Sequence, residues 1–187
     1  MAIESTNVIV IKIGGSTLGT EDTSVSDIAR IAQEGAQVIV IHGGGPEISR
    51  WMDSLGIPSN FVRGLRVTDA AGLAVATAVL SGLVSKRLVS SMRASGIQAV
   101  GISGIDGGIL TGYRGDPQLG FVADDLDVNT ELLRTLLGSG YIPVVSPLAL
   151  DASQPSQIQK VTADTAAGSL AAAMGATHML YLTDDKR

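Results

Sequence analysis

The sequence of 187 residues contains no cysteine, and only 3% of its residues are aromatic. The lack of cysteine excludes disulfides, thiolate metal sites and cysteine nucleophiles, and it agrees with a protein of the reducing cytoplasm. The lack of aromatics leaves Val, Ile, Leu and Ala to form the core, for which the apolar fraction of 45% is large enough. We therefore expect one cytoplasmic domain with an aliphatic core.

Positive charge is also scarce. Lys and Arg number 13 against 18 Asp and Glu, and no basic block is present, so we expect no nucleic-acid partner. Two long uncharged runs cover residues 70–85 and 165–183. The first is shorter than the roughly 20 apolar residues that cross a bilayer, and the second is interrupted by Gly168, Gly175 and His178. We therefore expect both to be buried elements and predict no membrane association.

Apolar runs that end in glycine alternate with helical patterns along the chain. A strand is predicted over Asn7–Ile13, a helix from Ser24 to Gly35, a second strand over Gln37–Ile41 and a helix over Glu47–Leu55. Continuous apolar runs are typical of parallel strands that are buried on both faces. The alternation therefore predicts an α/β fold around a mainly parallel sheet.

The rest of the chain continues this pattern, with a less regular middle. We predict a long helix from Asp69 to about Ser95, short β segments at Ile109–Tyr113 and Gly120–Ala123, and a polar loop at Asp151–Gln157. Further predicted elements are an extended segment at Asn60–Val67, helices at Asn129–Leu137 and Asp164–Met174, and strands at Ile97–Ile102, Tyr141–Val145 and Thr177–Leu182.

Two glycine turns, Gly14-Gly15 and Gly43–Gly45, each follow a predicted buried strand. Parallel strands end at one edge of the sheet, where glycine turns let backbone N–H groups converge on an anion. The turns match neither the Walker A loop nor the dinucleotide fingerprint. From position alone they either bind phosphate or only turn the chain.

Lys12 is a cation within the otherwise apolar first strand, directly before the first glycine turn. A lysine in a buried strand is costly unless its ammonium reaches an anion or water. Lys12 therefore either extends to solvent at the strand end or contacts phosphate oxygens above the turn.

Other chemistries do not assemble from the sequence. His42 and His178 are not spaced as metal ligands, and Ser103 lacks the second glycine of a nucleophile elbow. We expect His178 to be a core residue within its apolar strand, and Trp51 to pack beneath its helix.

Five motifs together resemble the amino acid kinase family. They are Lys12-Ile-Gly-Gly-Ser16, His42-Gly-Gly-Gly-Pro46, Gly64-Leu-Arg-Val-Thr68, Gly101-Ile-Ser-Gly-Ile-Asp-Gly-Gly108 and Ala163-Asp-Thr-Ala-Ala167. The resemblance implies a three-layer sandwich around a mainly parallel sheet. It also implies ATP-dependent phosphorylation of the side-chain carboxylate of N-acetyl-L-glutamate to an acyl phosphate, in arginine biosynthesis.

The resemblance also implies residue roles. Lys12 and Asp164 would be catalytic, and the backbone amides of Gly14, Gly15, Gly44 and Gly45 would bind phosphate. Gly44, Gly45 and Arg66 would bind substrate, Arg66 through the α-carboxylate. Mg²⁺ would arrive with ATP, bound through the phosphates and without a protein metal site. From position alone, Asp164 could cap its helix, a role that is compatible with the catalytic one, and Arg66 could instead be a solvated loop charge.

The sequence departs from the family pattern in two places. Lys160 replaces an asparagine that contacts the substrate in the family, so the acid substrate is in question. After Asp184 the family continues into a nucleotide-binding half, whereas this sequence ends at Arg187. We therefore expect residues 1–187 to be an amino acid kinase-like domain that comprises the substrate lobe and the phosphate turns. Most of the nucleotide lobe would be missing, either because this is a fragment of a longer kinase or because of a natural truncation.

Two alternative functions stay open at this point. One is a kinase of the same fold that acts on carrier-protein-linked aminoadipate or glutamate in lysine biosynthesis. The other is a truncated, non-catalytic module that binds an acidic ligand. The resemblance also implies a homodimer formed through the helix Asp69–Ser95, whose first half has few charges. From the residues alone, the same face of this helix could instead only pack into the core.

Overall fold

The structure is a computed structural model that describes residues 7–14 and 24–182. The helices are α1 Ser24–Gln33, α2 Gly45–Ser54, α3 Ala70–Thr77, α4 Ser85–Ala94, α5 Glu131–Gly138 and α6 Ala163–Met174. The strands are β1 Val8–Ile13, β2 Gln37–His42, β3 Phe61–Val62, β4 Leu65–Arg66, β5 Ala99–Ser103, β6 Leu110–Arg114, β7 Val122–Val128, β8 Ile142–Ser146, β9 Leu148–Asp151, β10 Ile158–Val161 and β11 His178–Leu182. A π-helical segment, Ala78–Val84, joins α3 to α4.

The central sheet has the strand order β11-β1-β2-β8-β5, and every neighbouring pair in it is parallel. Alternate residues of β1 serve opposite faces of the sheet. Val8 and Val10 pack with α5 and α6, whereas Ile9, Ile11 and Ile13 pack with α1 and α4. The predicted three-layer α/β architecture is confirmed, and burial on both faces explains why the strands are apolar throughout.

A small closed barrel of strands β10-β7-β6-β9 is attached to this sheet. The sequence predicted β6 well. It made β7 too short and missed β9 and β10. The acidic residues Asp124, Asp125 and Asp127 obscure the pattern of β7, and β9 and β10 are only four residues each. Such short strands carry too little periodicity to be recognised without their partners.

The long predicted helix is confirmed as the continuous helix Ala70–Ala94, and the side chain of Asp69 caps it by accepting the N–H of Gly72 at 2.7 Å. By length and composition this helix could cross a membrane. Its apolar residues instead pack into the core, where Val79 and Leu80 join α2 and Leu88 joins the sheet. The helix is therefore a core element, as predicted.

Two side chains lie on the surface against expectation. Trp51 on α2 is 42% exposed, and His178, at the start of β11, is exposed too. The strand β11 ends the order of the described sheet, so it lacks a neighbour that would cover it. The prediction that these residues are buried was wrong, because a pattern along the chain shows neither which strand ends a sheet nor which side of a helix is left uncovered.

Gly104→Ala should strongly destabilise the fold. A Cβ at Gly104 would lie 2.1 Å from the carbonyl oxygen of Leu148 and 2.5 Å from Leu110 Cδ1, so backbone would have to move. We expect a loss of about 3 kcal/mol in the free energy of unfolding, measured by urea denaturation. The matched control is Gly168→Ala, since no atom lies within 4 Å of a Cβ there and Gly168 is inside α6. It should stabilise by about 0.5–1 kcal/mol. Equal effects of the two variants would contradict the packing described.

Candidate active site

Lys12 faces the layer that contains α6. It shares the parity of Val8 and Val10 along β1, so its side chain leaves the sheet on the side of that helix. Its Nζ lies 3.1 Å from Asp164 Oδ1, and the Lys12 side chain is 15% exposed. The structure thus pairs the two predicted catalytic residues, which are about 150 positions apart in the chain.

Thr162, not Asp164, caps α6. Its Oγ1 accepts the N–H of Thr165 at 3.0 Å, and its backbone is extended as an N-cap requires. The alternative in which Asp164 caps the helix was therefore wrong. Its carboxylate lies in the first helical turn and is free to hold Lys12.

The second glycine turn joins β2 to α2 at the same edge of the sheet. The N–H of Gly43 donates to the carbonyl of Ile13 at 2.9 Å, which fixes the turn beside β1. Gly44 packs so tightly that a Cβ there would lie 2.8 Å from Leu80 Cδ2, whereas a Cβ on Gly45 would meet no described atom within 4 Å. Since α2 starts at Gly45 and Pro46 has no N–H, the N–H groups of Gly45 and Glu47 are the first-turn donors without an intrahelical acceptor, and they can bind an anion.

The first glycine turn is seen only in part. The N–H of Gly14 donates to the carbonyl of Leu182 at 2.8 Å and so extends the sheet toward β11. A phosphate at Gly14 would have to share this donor. Gly15 lies outside the described residues, and its predicted role stays a prediction.

Arg66 is positioned by a tight hairpin. Arg63 and Gly64 have φ angles of 51° and 79°, the left-handed values that a two-residue turn between twisted strands requires. This turn places Phe61 opposite Arg66, so that Arg66 Cζ lies 4.7 Å from the ring centroid. Stacking on the ring orients the guanidinium.

Neutral groups hold the Arg66 guanidinium. It donates to Ser59 Oγ at 2.7 Å, to Ser49 Oγ at 2.6 Å and to the carbonyl of Gly45 at 3.3 Å. Only 5% of the residue is exposed, so the alternative of a solvated loop charge was wrong. Burial lowers the pKa of Arg66 and Asp53 opposes this, but an arginine stays charged. Sequence reasoning missed the two serines and the ring because they come from three separate elements.

A cavity of about 190 Å³ opens between the glycine turn and these residues. Among the described residues, its lining includes cations but no acidic side chain, and the N-termini of α2 and α6 both border it. Helix N-termini and unpaired cations favour negative charge. The lining residues are Gly43, Gly44, Gly45, Ile48, Phe61, Gly64, Leu65, Arg66, Leu80, Pro147, Lys160, Val161, Thr162 and Ala163. The cavity is therefore suited to a small anion.

Lys160 is the second cation of the cavity. It lies on β10 and is half-buried. Burial lowers the pKa of Lys160 to about 8, and the nearby charge of Arg66 acts in the same direction. This residue stands at the position where the sequence departs from the family pattern.

His42 links the end of β2 to its neighbours beneath the cavity. Its Nε2 lies 3.0 Å from Ser146 Oγ and its Nδ1 lies 2.9 Å from the carbonyl oxygen of Gly43. The Ser146 hydroxyl also lies 3.2 Å from the carbonyl oxygen of Leu80. Burial lowers the pKa of His42, which is fully inaccessible to solvent. The residue therefore holds the glycine turn as a neutral imidazole.

A parallel sheet whose strand ends carry a glycine turn, a lysine–aspartate pair and an anion cavity defines an α/β enzyme of small anionic ligands. The model of the amino acid kinase family matches residues 7–186. The chain belongs to this family, which confirms the resemblance seen in the sequence.

Similar sequences agree with this assignment. The chain is 46% identical over 178 residues to acetylglutamate kinase from Geobacillus kaustophilus, covering 94% of this chain and 68% of that protein. It is also 46% identical over 182 residues to acetylglutamate kinase from Methanopyrus kandleri, covering 94% of this chain and 70% of that protein.

Solved structures show the same fold. A Streptococcus mutans protein superposes with a TM-score of 0.89 at 26% identity, covering 97% of this chain and 74% of that one. N-acetylglutamate synthase from Neisseria gonorrhoeae, solved with coenzyme A and N-acetyl-glutamate, superposes with a TM-score of 0.80 at 25% identity, covering 96% and 42%.

The stability of the protein should fall as the pH drops below about 6.5. Because burial lowers the pKa of His42 in the folded state only, the unfolded chain binds more protons in this range, and protonation favours unfolding. The free energy of unfolding in urea, measured between about pH 7 and pH 5, should depend less on pH in His42→Gln, by up to about 1.4 kcal/mol per pH unit. His178→Gln is the control, since His178 is exposed. An unchanged slope in His42→Gln would contradict the burial argument.

Proposed function

We propose that this protein transfers the γ-phosphoryl group of ATP to the side-chain carboxylate of N-acetyl-L-glutamate, and that the acyl phosphate serves arginine biosynthesis in the cytoplasm. One observation carries the proposal. The cavity is lined by a buried guanidinium that neutral groups hold, and none of its described lining residues is acidic. The second glycine turn lines it, and so does Ala163, the neighbour of Asp164 in the Lys12–Asp164 pair. Relatives at 46% identity are acetylglutamate kinases.

Arg66 would bind the α-carboxylate. Its charge has no carboxylate partner among its described hydrogen bonds, so a substrate carboxylate can supply one. A planar guanidinium presents two parallel N–H donors to the two carboxylate oxygens. Since Ser49, Ser59 and Phe61 already orient Arg66, little conformational entropy is lost on binding.

Lys12 would stabilise the negative charge that develops on the transferred phosphoryl group. Such transfer requires positioning and charge neutralisation more than covalent chemistry from the protein. The carboxylate of Asp164, 3.1 Å away, holds the ammonium at the edge of the sheet where β1 ends. The side chain of Asp164 is 62% exposed, so it restrains the Lys12 ammonium and leaves that ammonium accessible to a ligand.

Backbone amides would bind the phosphoryl oxygens. The turn at Gly44-Gly45 leads into the N-terminus of α2, where donors lack partners and the helix dipole favours negative charge. We include Gly14 and Gly15 of the first turn in the proposal. The described residues contain no group of three His, Cys, Asp or Glu that could hold a metal. We therefore assign no protein ligand to Mg²⁺, which would enter with the ATP phosphates.

The assay for the function is acyl phosphate formation, trapped by hydroxylamine, with ATP and N-acetyl-L-glutamate on the full-length protein. Lys12→Met should lower kcat at least about 100-fold because the charge of the transition state loses a partner. Arg66→Lys should raise KM for the acid about tenfold or more, because an ammonium cannot make the same paired contacts. Arg30→Met on the exposed face of α1 is the control and should match the wild type. Turnover only with a different acid, or none, would contradict the proposal.

A binding module is the second candidate. The cavity is lined by described residues of this chain, and the chain spans 68% of the Geobacillus kaustophilus relative. Calorimetry separates the two candidates. A module binds N-acetyl-L-glutamate without affinity for ATP, whereas the kinase binds both. Turnover with a carrier-protein-linked acid would instead support the lysine-pathway alternative.

We also propose a homodimer through the outer face of the helix Ala70–Ala94. A shallow groove there is lined by Gly82, Leu83, Lys86, Arg87, Ser90, Ser91 and Ala94. In a two-fold interface each residue meets the same surface of the partner.

Sedimentation equilibrium should therefore give twice the mass of the chain. Ser90→Arg should shift the protein toward monomer, because it adds charge beside Lys86 and Arg87 and these charges would face their copies. Arg30→Met, on a different helix, should leave the mass unchanged. A wild-type monomer at micromolar concentration would contradict the proposal.

A further inference from the structure

The ammonium of Lys160 borders the cavity, and no carboxylate of residues 7–14 or 24–182 forms an ion pair with it. Lys160 lies on β10 between Val122 of β7 and Leu148 of β9, and it shares the cavity with Arg66. Within the described part of the chain, its side chain has neither a hydrogen bond nor an ion pair. A half-buried cation without a partner is costly, so the site is incomplete without an anion.

The elements packed against β10 do not provide that anion. Opposite Lys160, β7 presents the apolar Val122. On β9, Asp151 is bound by hydrogen bonds and an ion pair inside the barrel, and at the start of α3, Asp69 is used as the helix cap. The charge that acts on Lys160 is the positive one of Arg66.

Asp164, in the first turn of α6, is the next carboxylate along the chain, and it is paired with Lys12 at 3.1 Å. Asp53 on α2 acts electrostatically on Arg66, but it does not line the cavity and accepts none of the described hydrogen bonds of Arg66. Lys160 and Arg66 therefore both line one small cavity of about 190 Å³. Their positive charges repel, so each raises the free energy of the charged form of the other. An anion placed between them would relieve this repulsion, since it attracts both.

We propose that Lys160 and Arg66 bind one and the same carboxylate of the acid substrate, one cation on each side, and that Lys160 does so only in its protonated form. The assignment rests on the proposed function in that the acid is N-acetyl-L-glutamate. Lys160 is then a specificity residue. A lysine at this position favours a ligand with a charged carboxylate, whereas the neutral amide of an asparagine would also accept a neutral ligand group.

Protonation of Lys160 is thereby coupled to binding. In the free protein, burial and the charge of Arg66 lower the pKa of Lys160 to about 8, so near that pH only about half of the molecules carry the charge. A bound carboxylate raises the pKa again, so the complex takes up a proton. Affinity is therefore highest below pH 8 and declines as the pH rises through this value.

Calorimetry of the full-length protein with N-acetyl-L-glutamate tests this coupling. Titrations at about pH 8 in HEPES and in Tris, which have different ionisation enthalpies and contain no phosphate that would compete for the cavity, give the number of protons bound. We expect the wild type to take up about half a proton. Lys160→Met should take up none and should bind about tenfold more weakly at about pH 7, where the wild-type lysine is charged.

Lys160→Arg keeps the charge at all accessible pH values. It should bind the acid without proton uptake and without the decline of affinity above pH 8, which a merely structural role of Lys160 would not produce. Arg30→Met, which removes a charge far from the cavity, should behave as the wild type does. Thermal melts by circular dichroism check folding, and Lys160→Arg serves as the decisive variant if Lys160→Met does not fold. Proton uptake that persists in either Lys160 variant, or its absence in the wild type, would overturn the proposal.

Glutarate as a second probe separates this proposal from the proposed function. If N-acetyl-L-glutamate does not bind but glutarate binds with proton uptake that depends on Lys160, the substrate is wrong and the role of Lys160 stands. If N-acetyl-L-glutamate binds with equal affinity to the wild type and Lys160→Met, the role of Lys160 is wrong and the substrate stands. If neither acid binds at millimolar concentration, both are wrong.

Discussion

The parallel pairing of β1, β2 and β8 is the constraint on which the site depends. Parallel strands end at one edge, so Gly14, Gly43 and Pro147 follow three neighbouring strands and lie together although they are far apart in the chain. The pairing also fixes the face on which each side chain leaves the sheet. Lys12 leaves it toward α6 for the same reason that Val8 and Val10 do, and this places it beside Asp164.

The distribution of charge around the cavity follows from this placement. The chain is acidic overall, with a net charge of −5, yet no acidic side chain of the part that the structure describes lines the cavity. Arg66 is held by serine hydroxyls, a carbonyl and a ring, and Lys12 by a carboxylate that is itself half in solvent. Because the groups that hold Arg66 are neutral, the positive charge of Arg66 stays available to a ligand. An ion pair within the protein would cancel that charge. Lys160 adds a second positive charge, and burial together with the charge of Arg66 lowers its pKa.

Much of the central sheet could be predicted from the sequence. Strands such as Asn7–Ile13 are long apolar runs bounded by glycine, a signal that does not depend on their partners. The barrel could not be predicted to the same extent. β9 and β10 are short, and their apolar residues are buried only because four strands close around them. The exposure of Trp51 and His178 could not be predicted from their neighbours in sequence either, because burial depends on residues that are distant along the chain.

The sequence by itself determined the class of fold, the glycine turns and the cations of the site, since strand patterning, glycine content and charge are local properties. Only the tertiary structure decided how those cations are used. It showed that Thr162 caps α6 and leaves Asp164 to Lys12, and that Ser49, Ser59 and Phe61 hold Arg66. It also showed that Lys160 shares the cavity with Arg66. The physical reason is that burial and Coulomb interactions depend on distances in space, and residues far apart in sequence set those distances only when the chain has folded.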